Sequence, residues 1–259
     1  MTVHFVGAGP GAADLITLRA ATMLAAADVC LYPGTYLDAE VLSHCRPGTR
    51  LVDTQDLDLD QITDELVTAH LAGADVVRLT SGDPSLYSAL AEQTRRLDEH
   101  GVPWDVTPGV PAYAAAAAAL GRELTVPLLT QSVVLTRAQS RSTVMPDSEA
   151  LADFAATRAT LAIHLAITRT RELAVELAEH YGPSCPVAVV SRASQPDELV
   201  LRGTLADIAD QVEAAGLRQA AVILVGPALD PSSSAGESYL YDPRRARSVH
   251  EARGPHLAR

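Results

Sequence analysis

Lysine and asparagine are absent from the 259-residue chain, and cysteine appears three times. All 20 basic residues are therefore arginine, beside a heavy excess of alanine, and we read this first as coding bias. Cys30, Cys45 and Cys185 show no CxxC spacing, so neither a structural zinc site nor a disulfide framework is indicated, and a reducing cytoplasm fits. Long apolar runs are also missing. The longest uncharged Ala-rich stretch, Ala112 to Leu120, is far short of the ~20 residues that a membrane helix needs. Residues 1–4 carry no basic cluster, and the apolar run that follows is broken by Gly7, Pro10 and Asp14, so no signal peptide is expected there. Positive charge is in deficit: 20 basic against 32 acidic residues give −12, which argues against general affinity for nucleic-acid backbones or anionic membranes.

What is present points to a globular chain. Apolar residues make up 47% and charged residues 20%, which excludes a fibrous or disordered protein. Short apolar runs alternate with helical stripes, the pattern of an α/β fold with parallel strands. Strands are expected at Val3 to Val6, Val29 to Tyr32, Arg50 to Val52, Asp75 to Leu79 and Trp104 to Val106. Helices are expected at Asp14 to Ala27, Gln61 to Leu71, Leu86 to Glu99 and along the alanine run after Val110. Around Gly121 to Pro127 a Pro-bounded extended segment interrupts the pattern and reads as an inter-domain connection. Beyond it, strands at Ser132 to Thr136, Thr160 to His164, Pro186 to Ser191, Leu199 to Gly203 and Ala221 to Val225 alternate with helices near Ser148 to Ala156, Arg169 to His180 and Leu205 to Ala215. Only a turn separates the third and fourth of these strands, so this second sheet is expected to be partly antiparallel. The expected division is residues 1–120, a linker at 121–128, a second α/β domain at 129–243, with an edge strand at Tyr239 to Tyr241, and an Arg-rich flexible tail from 244 to 259.

Three glycine loops stand at strand ends. Gly7-Ala8-Gly9-Pro10-Gly11-Ala12 satisfies a dinucleotide-binding template, but Pro10 removes an N–H where a pyrophosphate would need one. No acid stands at the end of the second strand to take a ribose; Tyr32 and Pro33 are there instead. A tight turn packing strand against helix is the plainer reading of that motif. Ser81-Gly82-Asp83-Pro84-Ser85-Leu86-Tyr87 places a glycine and an acid at the end of a central strand, where ligands bind in open α/β sheets. The competing reading makes Asp83 or Ser85 the N-cap of the next helix. Thr107-Pro108-Gly109-Val110-Pro111-Ala112 forms the third loop. Eight histidines show no paired spacing on one helix face, so no metal site is expected, and His164, at a strand end, is the one worth watching.

The combination of these loops with a second domain resembles the tetrapyrrole methylase family, the S-adenosylmethionine (SAM) dependent enzymes of cobalamin and sirohaem synthesis. The resemblance covers Val3 to Tyr241. Leu31-Tyr32-Pro33-Gly34-Thr35, Ser81 to Tyr87, Gly121-Arg122-Glu123-Leu124-Thr125-Val126-Pro127, Leu135-Thr136-Arg137 and Val222 to Pro227 look most like the branch that methylates C11 of precorrin-4. The resemblance implies a SAM cleft between two domains, touched by Pro10, Ser81, Gly82, Asp83, Leu86, Pro111, Ala112, Leu165 and Ala193. Three positions depart from the common pattern: Ala12 where many members have Asp, Pro111 where a hydroxyl is common, and Leu165 where relatives often have Met. It also implies a substrate fringed with carboxylates, for which Arg122, Arg137 and Arg141 at the domain junction are candidate clamps, with Tyr32 beside them. No metal and no protein nucleophile are expected, since methyl transfer from a sulfonium is an in-line displacement onto an electron-rich carbon. A homodimer is expected. A cobalt-bearing substrate, or uroporphyrinogen III, which that branch usually meets with Tyr-Asp at the second strand end, are the alternatives within the family. Outside it stand a non-catalytic nucleotide-binding module and an RNA 2′-O-methyltransferase, which would show more basic surface.

Overall fold

The computed structural model describes residues 1–34, 37–138, 143–232 and 237–239. Two five-stranded sheets organise it. In the first, β1 (Val3–Gly7), β2 (Val29–Tyr32), β3 (Arg50–Asp53), β4 (Val76–Thr80) and β5 (Trp104–Thr107) run in the order β3-β2-β4-β1-β5, every pair parallel. Parallel strands covered on both faces read as apolar runs, as Val29-Cys30-Leu31 of β2 does, and β4 breaks that pattern at Arg78. On one face Val3, Phe5, Leu31 and Val76 meet Ile62, Leu66 and Ala69 of α2 (Leu59–Leu71) and Leu97 of α3 (Leu90–Glu99). On the other, Val6, Cys30, Val77 and Leu79 meet Ala20 and Leu24 of α1 (Leu18–Ala26). The chain inserts β4 between β2 and β1, so consecutive connections leave the central strands in opposite directions. Their carboxyl ends open a crevice there.

The second sheet has the order β6-β7-β10-β8-β9, built from β6 (Val133–Arg137), β7 (Thr160–His164), β8 (Pro186–Ser191), β9 (Leu199–Thr204) and β10 (Ala221–Val225). Only β6–β7 is parallel; the other pairs are antiparallel, as the short turn after Ser191 anticipates. Helices α5 (Leu151–Ala156), α6 (Thr170–Tyr181) and α7 (Ile208–Ala214) cover one face. The other face is covered by α4 (Ala112–Leu120), whose Ala115, Ala116 and Leu120 pack on Ala162, Ala188, Val190, Val222 and Leu224. The alanine run thus serves close packing of a helix from the first half of the chain onto the second sheet.

Element boundaries shift mainly at helix starts. The expected helix from Asp14 begins only at Leu18, capped by Thr17 Oγ1 accepting from the Ala20 N–H, after a 3-10 turn at Ala13–Leu15. The one expected from Leu86 begins at Leu90, because Tyr87 and Ala89 adopt left-handed φ of 53° and 54°. Helix α2 starts two residues early, at Leu59, on a capping box in which Asp58 and Gln61 exchange side-chain bonds. Of the edge strand expected at Tyr239 to Tyr241, residues 240 and 241 lie outside the described residues, as does the tail from 244 to 259.

Candidate active site

The three glycine loops converge. Gly9 and Gly82 exchange both backbone bonds, N–H of each to the carbonyl of the other at 3.2 and 2.8 Å. A Cβ on Gly7 would stand 2.5 Å from the Gly109 nitrogen, and one on Gly109 would stand 2.1 Å from the Gly82 oxygen. Glycine is therefore required for contact between loops, not only for turns. Asp83 ties two of them: its carboxylate accepts from the Gly109 N–H at 2.8 Å and from the N–H and hydroxyl of Ser85. Burial pushes this carboxyl up, but those three bonds outweigh it and hold it below the ordinary carboxylate value. The N-cap reading of Asp83 and Ser85 is corrected accordingly, since α3 begins only at Leu90.

The same geometry counts against a pyrophosphate cradle at residues 7–12. The amides of Ala8, Gly9 and Ala12 donate to Thr80 O, Gly82 O and Ser194 Oγ, and no α-helix begins in the loop. Ala12 to Ser194, at 3.0 Å, instead joins this loop to the turn after β8 on the second sheet. Gly11 touches the same turn: a Cβ there would lie 2.3 Å from Gln195 Cγ.

Between the sheets lies a cavity of about 570 Å³, within the ~300–1,000 Å³ usual for small-molecule sites. Pro10, Ser81, Gly82, Asp83, Leu86, Pro111, Ala112, Leu165 and Ala193 all line it. The proposed clamps do not gather there. Arg122 lines a separate depression with Arg202 and Asp230. Tyr32 stays behind its neighbour Pro33, which does line the cavity. Arg137, at the end of β6, donates to Thr143 O at 2.9 Å and acts electrostatically on Tyr87, outside the cavity wall. Arg141 lies outside the described residues.

The guanidiniums that do line the cavity are Arg78, Arg192 and Arg218, which sequence reasoning missed. Arg192 pairs with Asp197 at 2.8 Å, whereas Arg78 is buried on β4. A charged residue inside an otherwise apolar strand was the available signal. The rim is also strained: Tyr87, Leu165, Arg192 and Ala220 line it with φ of 50–53°, costing on the order of 1 kcal/mol each. Tyr87 reaches across from the first sheet to His164 on the second, ring centroids 5.5 Å apart. Burial pushes the pKa of the His164 imidazole down, and its Nε2 has no hydrogen-bond partner among the described residues. Among the described residues no cluster of three or more His, Cys, Asp or Glu could hold a metal, and no helix is long and apolar enough to cross a membrane.

Comparison with known proteins points the same way. A precorrin-4 C(11)-methyltransferase of Rhodococcus erythropolis is 54% identical over 250 residues, 96% of this chain and 100% of that protein. A cobalt-precorrin-4 C(11)-methyltransferase of Methanocaldococcus jannaschii is 39% identical, covering 98% and 96%. A solved structure described as a cobalt precorrin-4 methyltransferase superposes with TM-score 0.86 at 38% identity, covering 89% and 96%. The uroporphyrin-III C-methyl transferase of Thermus thermophilus, solved with S-adenyl homocysteine, gives 0.72 at 31%, covering 87% and 92%. The sequence profile of the Tetrapyrrole (Corrin/Porphyrin) Methylases matches residues 2–209, over the converging glycine loops and most of the second sheet: the chain belongs to that family.

Proposed function

We propose that this protein transfers a methyl group from SAM to C11 of precorrin-4 in cobalamin synthesis, with the cavity between the sheets as its SAM site. The observation that carries it is the convergence of all nine residues implied by the family resemblance on one cavity, in a chain 54% identical to a precorrin-4 C(11)-methyltransferase. The residues fit a cofactor of this kind: apolar side chains of Leu86, Leu165 and Ala193 offer contact to an adenosine, and glycine loops bring main-chain groups close. Bound there, SAM supplies an electrophilic methyl.

The chain's own part is positioning. Asp83 holds the 81–85 loop against Gly109, and the rim at Tyr87 and His164 shields the space between the sheets from water. The methyl acceptor is a carbon of the macrocycle, so no protein nucleophile takes part. Arg137 remains our proposed carboxylate contact at the junction, and Arg141, outside the described residues, stays proposed from sequence alone; Tyr32 and Arg122 do not line the cavity. The domain division at 121–128 belongs to the same reading, with α4 packed across it. So do a cytoplasmic setting and a homodimer, which sedimentation velocity over a range of concentrations tests; a monomer throughout removes the dimer.

The decisive experiment is incubation with methyl-¹³C SAM and precorrin-4, followed by mass and NMR analysis. Label at C11 is expected, and label at another carbon overturns the assignment. The same assay run with cobalt-precorrin-4 decides the metal state of the substrate; relatives named for the metal-free substrate, at 48–54% identity against 38–39%, favour the former.

A further inference from the structure

Arg78 lies in the middle of a core strand, between Phe5 of β1 and Leu31 of β2, and its residue exposure is 7%. Its Nε donates to Gln93 Oε1 at 3.0 Å and its Nη1 to the Leu79 carbonyl at 3.1 Å. Both acceptors are neutral. No carboxylate among the described residues pairs with it, although exposed Arg46, Arg50, Arg95 and Arg171 all have acidic partners. Burial pulls its pKa down to about 10. A buried charge is retained against its desolvation cost only when something compensates it.

Gln93 is itself buried and fully engaged, since its Nε2 donates to the carbonyls of Ser88 and Ala89 at 3.2 and 3.1 Å. The amide therefore holds the guanidinium from one side and the left-handed 87–89 turn from the other. A guanidinium carries five N–H donors, of which the two bonds above use two. Arg78 is also one of the residues that line the cavity. In a chain of net charge −12, a positive group at this place makes the cavity locally receptive to an anion.

We propose that Arg78 is the seat of a ligand carboxylate in this cavity, the anion that completes its pairing when the site is filled. The proposal rests on the methyltransferase reading, under which two ligands bring carboxylates: the amino-acid end of the cofactor and the acidic side chains of the tetrapyrrole. A fork of N–H donors suits either.

Two variants test it by calorimetry. Arg78→Met removes the charge and keeps an apolar stem; Gln93→Glu gives Arg78 an internal carboxylate that competes with the ligand's, while losing the two Nε2 bonds to the 87–89 turn, an effect that 5′-methylthioadenosine binding reads separately. The probes are S-adenosylhomocysteine, 5′-methylthioadenosine, which lacks the amino-acid end, and uroporphyrin III as a stable polycarboxylate macrocycle. A loss of about tenfold or more is expected in both variants, as for one charge-assisted pair. Loss confined to S-adenosylhomocysteine, with methylthioadenosine unchanged, assigns the seat to the cofactor; loss confined to uroporphyrin assigns it to the macrocycle. Unchanged affinities in folded variants, or equal loss of all three probes, overturn the proposal and leave Arg78 a structural cation. If Arg78→Met does not fold, Gln93→Glu decides alone. Failure of the unaltered protein to bind S-adenosylhomocysteine would instead sink the methyltransferase reading itself.

Discussion

Replacing Asp83 by alanine separates the two things this carboxylate could do. It accepts three hydrogen bonds, two from Ser85 two residues away and one from the part-buried Gly109 amide 26 residues away. The Ser85 bonds are local and exposed, and water replaces them cheaply. The Gly109 bond is the costly loss: a bond to a charged acceptor contributes ~1.5–3 kcal/mol, and the amide is left in a crowd of glycine backbone that water enters poorly. We expect a stability loss of about 2 kcal/mol and, because the 81–85 loop lines the cavity, a rise of about tenfold in the S-adenosylhomocysteine Kd, or ~1.4 kcal/mol. Calorimetry at a temperature where circular dichroism shows the variant folded measures the second quantity apart from the first. A lower melting temperature with affinity unchanged would refute the reasoning and return Asp83 to a purely local role. The pH dependence supplies a second check. The folded carboxyl lies below its ordinary value, so the stabilisation is complete above ~4 and is lost as the pH falls through the lowered folded pKa. Affinity should fall with acid in the unaltered protein, and that part of the dependence should be missing in Asp83→Asn.

Other outcomes follow from the same geometry. Arg137→Leu should raise the apparent KM for the tetrapyrrole by roughly tenfold with SAM affinity unchanged, whereas Arg122→Leu, in a separate depression, should leave both alone; steady-state kinetics on the two variants checks the pair. Gly109→Ala drives a methyl to 2.1 Å from the Gly82 oxygen and should abolish S-adenosylhomocysteine binding or folding, while Gly48→Ala, with nothing within 4 Å and a φ of 93°, should cost only ~1 kcal/mol. Thermal melts and calorimetry distinguish them, and a folded Gly109→Ala with full affinity counts against the loop contact. NADH should not compete with S-adenosylhomocysteine, because the amides of Ala8, Gly9 and Ala12 are already engaged; tighter binding of NADH removes that argument.

Strand periodicity and glycine placement are local properties, and they made β2, β7, β8 and β10 legible to the residue from sequence. The cofactor-side loops were legible for the same reason, since a glycine at a parallel strand's carboxyl end leaves few uses for that position. Helix starts were less so. A start depends on which residue breaks the backbone pattern, and nothing in Leu86 to Ala89 shows that Tyr87 and Ala89 turn left-handed until Gln93 is seen holding their loop. Only the tertiary structure could decide which arginines meet in the cavity. Proximity to the domain junction along the chain pointed to Arg122 and Arg137, but the turn after α4 leaves Arg122 at a separate depression, while strand order brings Arg78, 40 or more residues earlier, to the wall. It likewise places α4, which follows β5 in sequence, on the second sheet rather than the first. Periodicity says which face of an element is apolar; which other element covers that face is a matter of non-local packing, and no single segment encodes it.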